Sequence, residues 1–107
     1  MSLRACSAAL AAAALIGSPL AWGQQQGVSK SEILVGTIQD LSGPLAGYGK
    51  QARNGMLLRV DEANEQGGLH GRKLKLLVED DGYDPKRAVL AAQKLVNQDK
   101  VFIIAGH

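Results

Sequence analysis

A glycine-rich segment, Asp40–Lys50 with the sequence DLSGPLAGYGK, holds the residue types most suited to binding a ligand directly. It follows an apolar run, Glu32–Gln39, and precedes a segment with helical spacing of apolar residues. Glycine-rich turns between a strand and a helix often hold phosphate, because the first backbone N–H groups of a helix have no partner within it. The positions of the glycines therefore decide whether a nucleotide could bind here.

The P-loop motif is excluded by two positions in this segment. It requires G-x-x-x-x-G-K-[ST], in which the last residue supplies a hydroxyl to the metal ion on the phosphates. Gly49 and Lys50 provide the GK pair, but Pro44 stands where the first glycine is needed and Gln51 where the hydroxyl is needed.

The dinucleotide fingerprint is matched in its letters but not in its position. Residues 47–52, GYGKQA, fit G-x-G-x-x-[GA]. The first glycine of that fingerprint should directly follow the strand, so that the pyrophosphate lies on the helix N-terminus. Seven residues separate Gln39 from Gly47, and Tyr48 adds bulk inside the turn. We therefore disfavour dinucleotide binding and expect no cofactor.

Two adjacent aspartates, Asp80 and Asp81, could form an acidic pocket like that of a phospho-receiver domain. Aspartates at this kind of position more often accept hydrogen bonds within turns and caps. The chain also lacks the length for the remaining parts of a receiver, and the sequence offers no supported nucleophile–base pair and no Cys/His metal spacing. We therefore expect neither an enzyme nor a metal site.

The first 23 residues are typical of a secretory signal peptide. Arg4 precedes an apolar run of mostly Ala and Leu, residues 5–16, and a small-x-small triplet, AWG, ends at Gly23. A charged start, a short apolar core and a small-residue cleavage site define such a signal. We expect cleavage after Gly23 and a periplasmic location, away from cytoplasmic NAD. Cys6 lies at the start of this run and not at its end, where a lipidated cysteine would stand, so we expect no lipoprotein signal.

The charge of the chain excludes a nucleic-acid surface. The net charge is +2 over the whole sequence, and loss of Arg4 with the signal leaves 11 basic against 10 acidic residues. These charges alternate along the chain and form no basic stripe.

The apolar pattern predicts an α/β fold with five elements after a polar leader at residues 24–31. The predicted strands are Glu32–Gln39, Lys73–Glu79 and Val101–Ala105, and the predicted helices are Lys50–Glu65 and Lys86–Asn97. Strands separated by helices form βαβ units with parallel strands and right-handed crossovers. The sequence thus predicts a partial doubly wound parallel sheet with strand order 2-1-3, in which Gly67-Gly68 ends the first helix and Asp84-Pro85 begins the second.

Several short motifs occur together in an order that resembles one family. They are LSGP at 41–44, YG at 48–49, Asn64 with Gly67-Gly68, GRKL at 71–74, Asp80-Asp81, Asp84-Pro85 and the final strand at 101–106. This arrangement resembles the start of the branched-chain amino-acid-binding type of periplasmic solute-binding protein. The resemblance implies a type I periplasmic binding fold, whose two lobes close on a small solute and deliver it to the permease of an ABC importer.

The resemblance leaves the solute and the role open. Solutes in the family include leucine, isoleucine and valine, other amino acids, amides, urea and small aromatic acids. A ligand-sensing or enzyme-linked role of the same fold, or a truncated remnant without activity, are the alternatives.

The ligand is expected at the switch point in strand order, between the first and third strands. The resemblance implies that Tyr48 contributes to the ligand cleft. Gln39 and Asp40 could face it, and Ser42 lies in the same loop, where turn formation is the more ordinary role. His107 leads the segment that binds the amino-acid head group in the family, whereas His70 is expected in a solvated loop.

The family's proteins are much longer than this chain. Residues 32–107 are therefore expected to form an incomplete N-terminal lobe, and the chain to be a fragment or a truncated reading frame. Because much of the lobe's core would be missing, we expect that the isolated chain neither folds cooperatively nor binds. A sharp two-state melt of residues 24–107 would contradict this expectation.

Overall fold

The computed structural model describes residues 25–106. Their elements are β1 (Glu32–Gln39), α1 (Ala46–Glu65), β2 (Lys73–Asp80), α2 (Pro85–Gln93), a π-helical turn (Lys94–Gln98) and β3 (Ile103–Ile104). No helix in this range is both long and apolar enough to cross a bilayer. The predicted signal peptide, its cleavage after Gly23 and the predicted contact of His107 lie outside the described residues.

The three strands form one parallel sheet in the order β2-β1-β3. This confirms the predicted α/β class and strand order. β1 pairs with β2 along its full length, from Glu32 opposite Lys73 to Gln39 opposite Asp80. Because these two strands end level with each other, the loops that follow them meet at the same edge of the sheet.

β1 has the predicted bounds, but its burial is uneven. Its carboxyl-terminal residues Gly36, Thr37 and Ile38 are buried, whereas the amino-terminal half is only partly covered. The buried end lies over Leu95, whose side chain would be 3.0 Å from a Cβ at Gly36. Leu95 and Ile38 belong to a small core with Ala91 and Val101.

The first helix begins at Ala46, earlier than the predicted Lys50. The prediction was wrong here because glycines weaken the helical pattern at this end of the segment. The backbone nevertheless turns into the helix, since Gly43 O accepts the N–H of Ala46 at 3.2 Å. The part of the glycine-rich segment from Ala46 onward is therefore the first turn of α1, not loop.

The predicted glycine stop of the first helix is confirmed. Gly67 and Gly68 have φ of 99° and 76°. Gly68 N–H donates to Ala63 O at 2.8 Å and Gly67 N–H to Asn64 O at 3.1 Å, which is the Schellman pattern. The side chain of Asn64 both donates to and accepts from the backbone of Leu74 at 2.8 Å, and so ties the end of α1 to β2.

The second helix begins as predicted but ends differently. Asp84 caps it by accepting the N–H of Lys86 at 2.9 Å, and Pro85 is its first residue. Its predicted last turn is a π-helical turn, Lys94–Gln98, not α-helix. Within this turn Leu95 is buried and Val96 is exposed.

The predicted third strand was too long, because only Ile103 and Ile104 form it. Hydrogen bonds to β1 continue on both sides, from Phe102 N–H to Leu34 O and from Ala105 N–H to Gly36 O. Gln26, in the predicted leader, also donates its side-chain amide to Val101 O at 3.1 Å. Gln26 and Gly27 of the leader thus contact this side of the sheet.

Candidate functional site

A groove of about 340 Å³ opens at the carboxyl end of β1. β1, the loop after it and the first turns of α1 form one side, and the loop between β2 and α2 forms the other. The residues that line it are Ile38, Gln39, Asp40, Leu45, Tyr48, Gly49, Ala52, Asp81 and Tyr83. Seven of its nine lining residues come from β1, its following loop and α1, and the other two from the β2–α2 loop. The groove therefore borders β1 and β2, and no described lining residue belongs to β3, beside which the sequence analysis expected the ligand.

Asp40 is a buried lining residue that fixes the loop beside the groove. Its residue is only 7% exposed, and its carboxylate accepts three backbone N–H groups of the following loop. The distances are 3.1 Å to Ser42, 2.5 Å to Gly43 and 2.7 Å to Leu45. Asp40 was predicted as a candidate ligand contact, and the structure places both of its oxygens on the protein's own backbone.

Asp80 joins the two loops that border the groove. Its Oδ1 accepts the N–H of Leu41 at 2.8 Å and that of Gly82 at 2.9 Å, and its Oδ2 lies 3.5 Å from the guanidinium of Arg87. The Ser42 hydroxyl, the Leu41 and Gly82 amides and the Arg87 charge lower the pKa of Asp80 from 3.8 to about 2. Its ionised form therefore holds the β1–α1 loop against the β2–α2 loop.

This depressed pKa predicts a loss of stability in acid. Because the folded-state pKa lies below the unfolded one, Asp80 stabilises the fold above pH 3.8 and loses this effect as pH falls through about 2. The ¹³C signal of its carboxyl carbon should titrate near pH 2. Asp80→Asn should remove the contribution of Asp80 to the pH dependence of the free energy of unfolding. Asp61→Asn, a substitution on the exposed face of α1, should leave that contribution unchanged. An Asp80 signal that titrates near 3.8 would contradict this.

A close contact between two glycines also holds the loops together. A Cβ at Gly43 would lie 2.3 Å from the carbonyl oxygen of Gly82. Only a residue without a side chain permits this approach, so Gly43 is required for packing.

The other predicted site residues fall in different environments. Tyr48 lines the groove and is 77% exposed. Gln39 also lines it, but its side-chain amide donates to Thr37 Oγ1 at 3.0 Å and to the carbonyl of Gly106. Gln39 thus fixes the end of the third strand beside the first. Ser42 is in the loop but is not among the lining residues, and its hydroxyl is directed to Asp80.

Three carboxylates gather at this edge of the sheet, from Asp40, Asp80 and Asp81. Each accepts backbone N–H groups; that of Asp81 binds the N–H of Tyr83 at 2.9 Å. The sequence interpretation of Asp80-Asp81 as turn residues agrees with these contacts.

Tyr83 is a groove residue that sequence reasoning missed. It lies in the loop between β2 and α2 and is 63% exposed. The available signal was its place, three residues after the end of a strand that pairs with β1. The loops that follow β1 and β2 lie at the same edge of the sheet, because the two strands end level with each other.

This fold is an open α/β sheet of parallel strands with a groove at the carboxyl end of β1. The sequence profile of the periplasmic binding protein family matches residues 32–107. The chain therefore belongs to the periplasmic binding protein family, as the resemblance of its motifs implied.

Curated relatives agree with this assignment. The chain is 38% identical to the Leu/Ile/Val-binding protein BraC3 of Rhizobium johnstonii over 104 residues, which are 97% of this chain and 26% of that protein. It is 41% identical to the Leu/Ile/Val-binding protein of Escherichia coli K12 over 76 residues, 71% of this chain and 20% of that one. The chain thus spans about a quarter or less of the length of these relatives. The relatives are solute-binding proteins, not enzymes.

Solved structures of solute-binding proteins also align with this chain. The branched-chain amino acid substrate-binding protein LivJ of Streptococcus pneumoniae, in complex with isoleucine, aligns with a TM-score of 0.69 and 32% identity, over 72% of this chain and 22% of that one. A solute-binding protein of Rhodopseudomonas palustris in complex with 3,4-dihydroxybenzoic acid aligns with a TM-score of 0.63 and 32% identity, over 70% of this chain and 20% of that one.

Proposed function

We propose that residues 32–107 form the first part of the N-terminal lobe of an extracytoplasmic solute-binding protein that serves an ABC importer for branched-chain amino acids. In this proposal the N-terminal signal directs export to the periplasm and is cleaved after Gly23. The transported solute and an inner-membrane permease are the partners. The observation that carries the proposal is the groove at the end of β1, with an exposed Tyr48, in a chain of this family.

The lining of the groove favours a solute with an apolar side chain. Ile38, Leu45 and Ala52 are apolar, and the tyrosine rings can cover an aliphatic group while their hydroxyls form hydrogen bonds. Among the described lining residues there is no lysine or arginine. A groove of this kind suits a neutral aliphatic group better than a phosphate or another anion.

A small aromatic acid is the second candidate. The Rhodopseudomonas palustris neighbour is in complex with 3,4-dihydroxybenzoic acid, and an exposed tyrosine ring can stack on an aromatic ligand. The carboxylate of an aromatic acid and that of an amino acid would both need a positive or N–H partner from outside this lining, so the lining alone does not separate the two classes. We rank branched-chain amino acids first because curated relatives are named Leu/Ile/Val-binding proteins, ahead of aromatic acids, amides and urea.

The test uses a hybrid protein in which residues 32–106 of this chain replace the corresponding segment of the E. coli Leu/Ile/Val-binding protein. Calorimetric titration with L-leucine, L-isoleucine, L-valine, 3,4-dihydroxybenzoate, acetamide and urea compares the candidate solutes. We expect binding of the three aliphatic amino acids. Tyr48→Ala should weaken leucine binding about tenfold, because a desolvated apolar contact is lost.

The matched control is Leu58→Ala, which removes an exposed apolar side chain from the same helix outside the groove. It should leave leucine affinity unchanged. A folded hybrid that binds none of the three aliphatic amino acids would refute the proposed solute class. Equal effects of the two substitutions on affinity would refute the contact with Tyr48.

A further inference from the structure

Tyr83 is an aromatic residue of the groove for which the sequence analysis proposed no role. The side chain is 63% exposed beside a groove that Tyr48 also lines. Large exposed aromatic residues next to a concave surface are a frequent mark of a binding site.

The backbone at Tyr83 adopts a conformation that ordinary residues avoid. Its φ is 61°, directly after Gly82 with φ of 56°. The two residues form a tight turn, closed by a hydrogen bond from Asp84 N–H to Asp81 O at 3.0 Å. Positive φ at both central positions is normally met by glycine, asparagine or aspartate. A bulky tyrosine there costs stability, and strain of this kind is concentrated at ligand sites.

The loop that carries Tyr83 is held in a fixed place relative to the loop before α1. The Asp81 carboxylate accepts the N–H of Tyr83 at 2.9 Å. Asp80 accepts N–H groups from both loops, and Gly82 packs directly against Gly43. The position of Tyr83 is therefore fixed relative to the segment that leads to Tyr48.

We propose that Tyr83 is a second ligand-contacting residue, which lines the groove from the β2–α2 side and favours solutes with a larger apolar side chain. This inference rests on the proposed function, since it assigns a contact within the same cleft. The strained turn sets the ring at the groove, and the cross-loop contacts of Asp80 and Gly82 keep it there.

Glycine at position 83 separates a ligand role from a structural one. Tyr83→Gly removes the ring and also relieves the left-handed backbone, which glycine adopts freely. In the hybrid, leucine affinity should fall about tenfold, equivalent to about 1.4 kcal/mol. The affinity for L-alanine should fall less, because its side chain is smaller. The melting temperature of the unliganded hybrid should stay the same or rise.

Lys100→Gly is the matched control, because Lys100 also has a left-handed backbone, with φ of 57°, and does not line the groove. It should leave leucine affinity unchanged. A lower melting temperature with unchanged affinity for Tyr83→Gly would show that the ring packs on protein, and would overturn the proposal. Unchanged affinity in a hybrid that still binds leucine would overturn it too, with the proposed function intact. If the unsubstituted hybrid binds no aliphatic amino acid, both the proposed function and the proposed contact of Tyr83 fail.

Discussion

Replacement of Gly49 by alanine is expected to destabilise the hybrid by about 3 kcal/mol or more, the upper end of the cost of overpacking. Gly49 is buried in α1, and a Cβ there would lie 1.9 Å from the carbonyl oxygen of Asp40. The obstacle is backbone, so it cannot rotate away as a side chain would. Either the start of α1 or the end of β1 must move, and urea denaturation should report the loss.

The same substitution at Gly55 is the matched control. Gly55 lies in the same helix, and apart from the adjacent helix backbone no atom of residues 25–106 lies within 4 Å of the Cβ that alanine would add there. Alanine is the better helix former, so Gly55→Ala should stabilise the protein by up to about 1 kcal/mol. Surface substitutions usually change the free energy of unfolding by no more than about 0.5 kcal/mol. A change no larger than this for Gly49→Ala would show that the close approach to Asp40 does not restrict the position.

Gly49→Ala should also weaken solute binding, for the same geometric reason. Tyr48 is the residue before Gly49, so a shift of the helix start moves its ring relative to Ile38 at the base of the groove. The tight contact with Asp40 thus serves both the fold and the candidate site. This explains why a glycine with low helix propensity stands in the first turn of a long helix.

Local patterns were enough to predict most of the fold. The β-branched apolar run predicted β1 with its observed bounds, and the glycine pair and the Asp84-Pro85 pair predicted a helix end and a helix start. The helix end and the helix start depend on hydrogen bonds between residues close in sequence. The strand order 2-1-3 was expected from the doubly wound arrangement, and the family resemblance agreed with it.

The roles of the site residues depend on contacts between distant parts of the chain. The N–H of Leu41 donates to Asp80, 39 residues away, and Gly43 packs on Gly82. No local spacing predicts which aspartate faces a ligand and which accepts backbone groups. For this reason Asp40 was predicted as a ligand contact although its oxygens bind the loop, and Tyr83 was not predicted at all.

Loss of the Asp40 carboxylate is the second substitution with a large expected effect. Asp40→Ala leaves the N–H groups of Ser42, Gly43 and Leu45 without their acceptor in a partly buried loop. Each lost bond to a charged acceptor costs about 1 kcal/mol or more, so the free energy of unfolding of the hybrid should fall by about 3 kcal/mol. Asp40→Asn keeps the shape and one acceptor oxygen, so it should cost less.

Asp84→Ala provides the comparison, because Asp84 is an exposed aspartate whose carboxylate accepts one backbone N–H, from Lys86. It should cost about 1 kcal/mol, the usual value of a helix cap. Equal losses at the two positions would show that the buried network of Asp40 adds nothing beyond a single cap. An Asp40→Asn variant with wild-type stability and more than tenfold weaker leucine binding would instead show that the carboxylate touches the solute. The structure predicts instead that Asp40→Asn lowers the free energy of unfolding more than it lowers leucine affinity. Both carboxylate oxygens already accept backbone N–H groups of the loop that borders the groove.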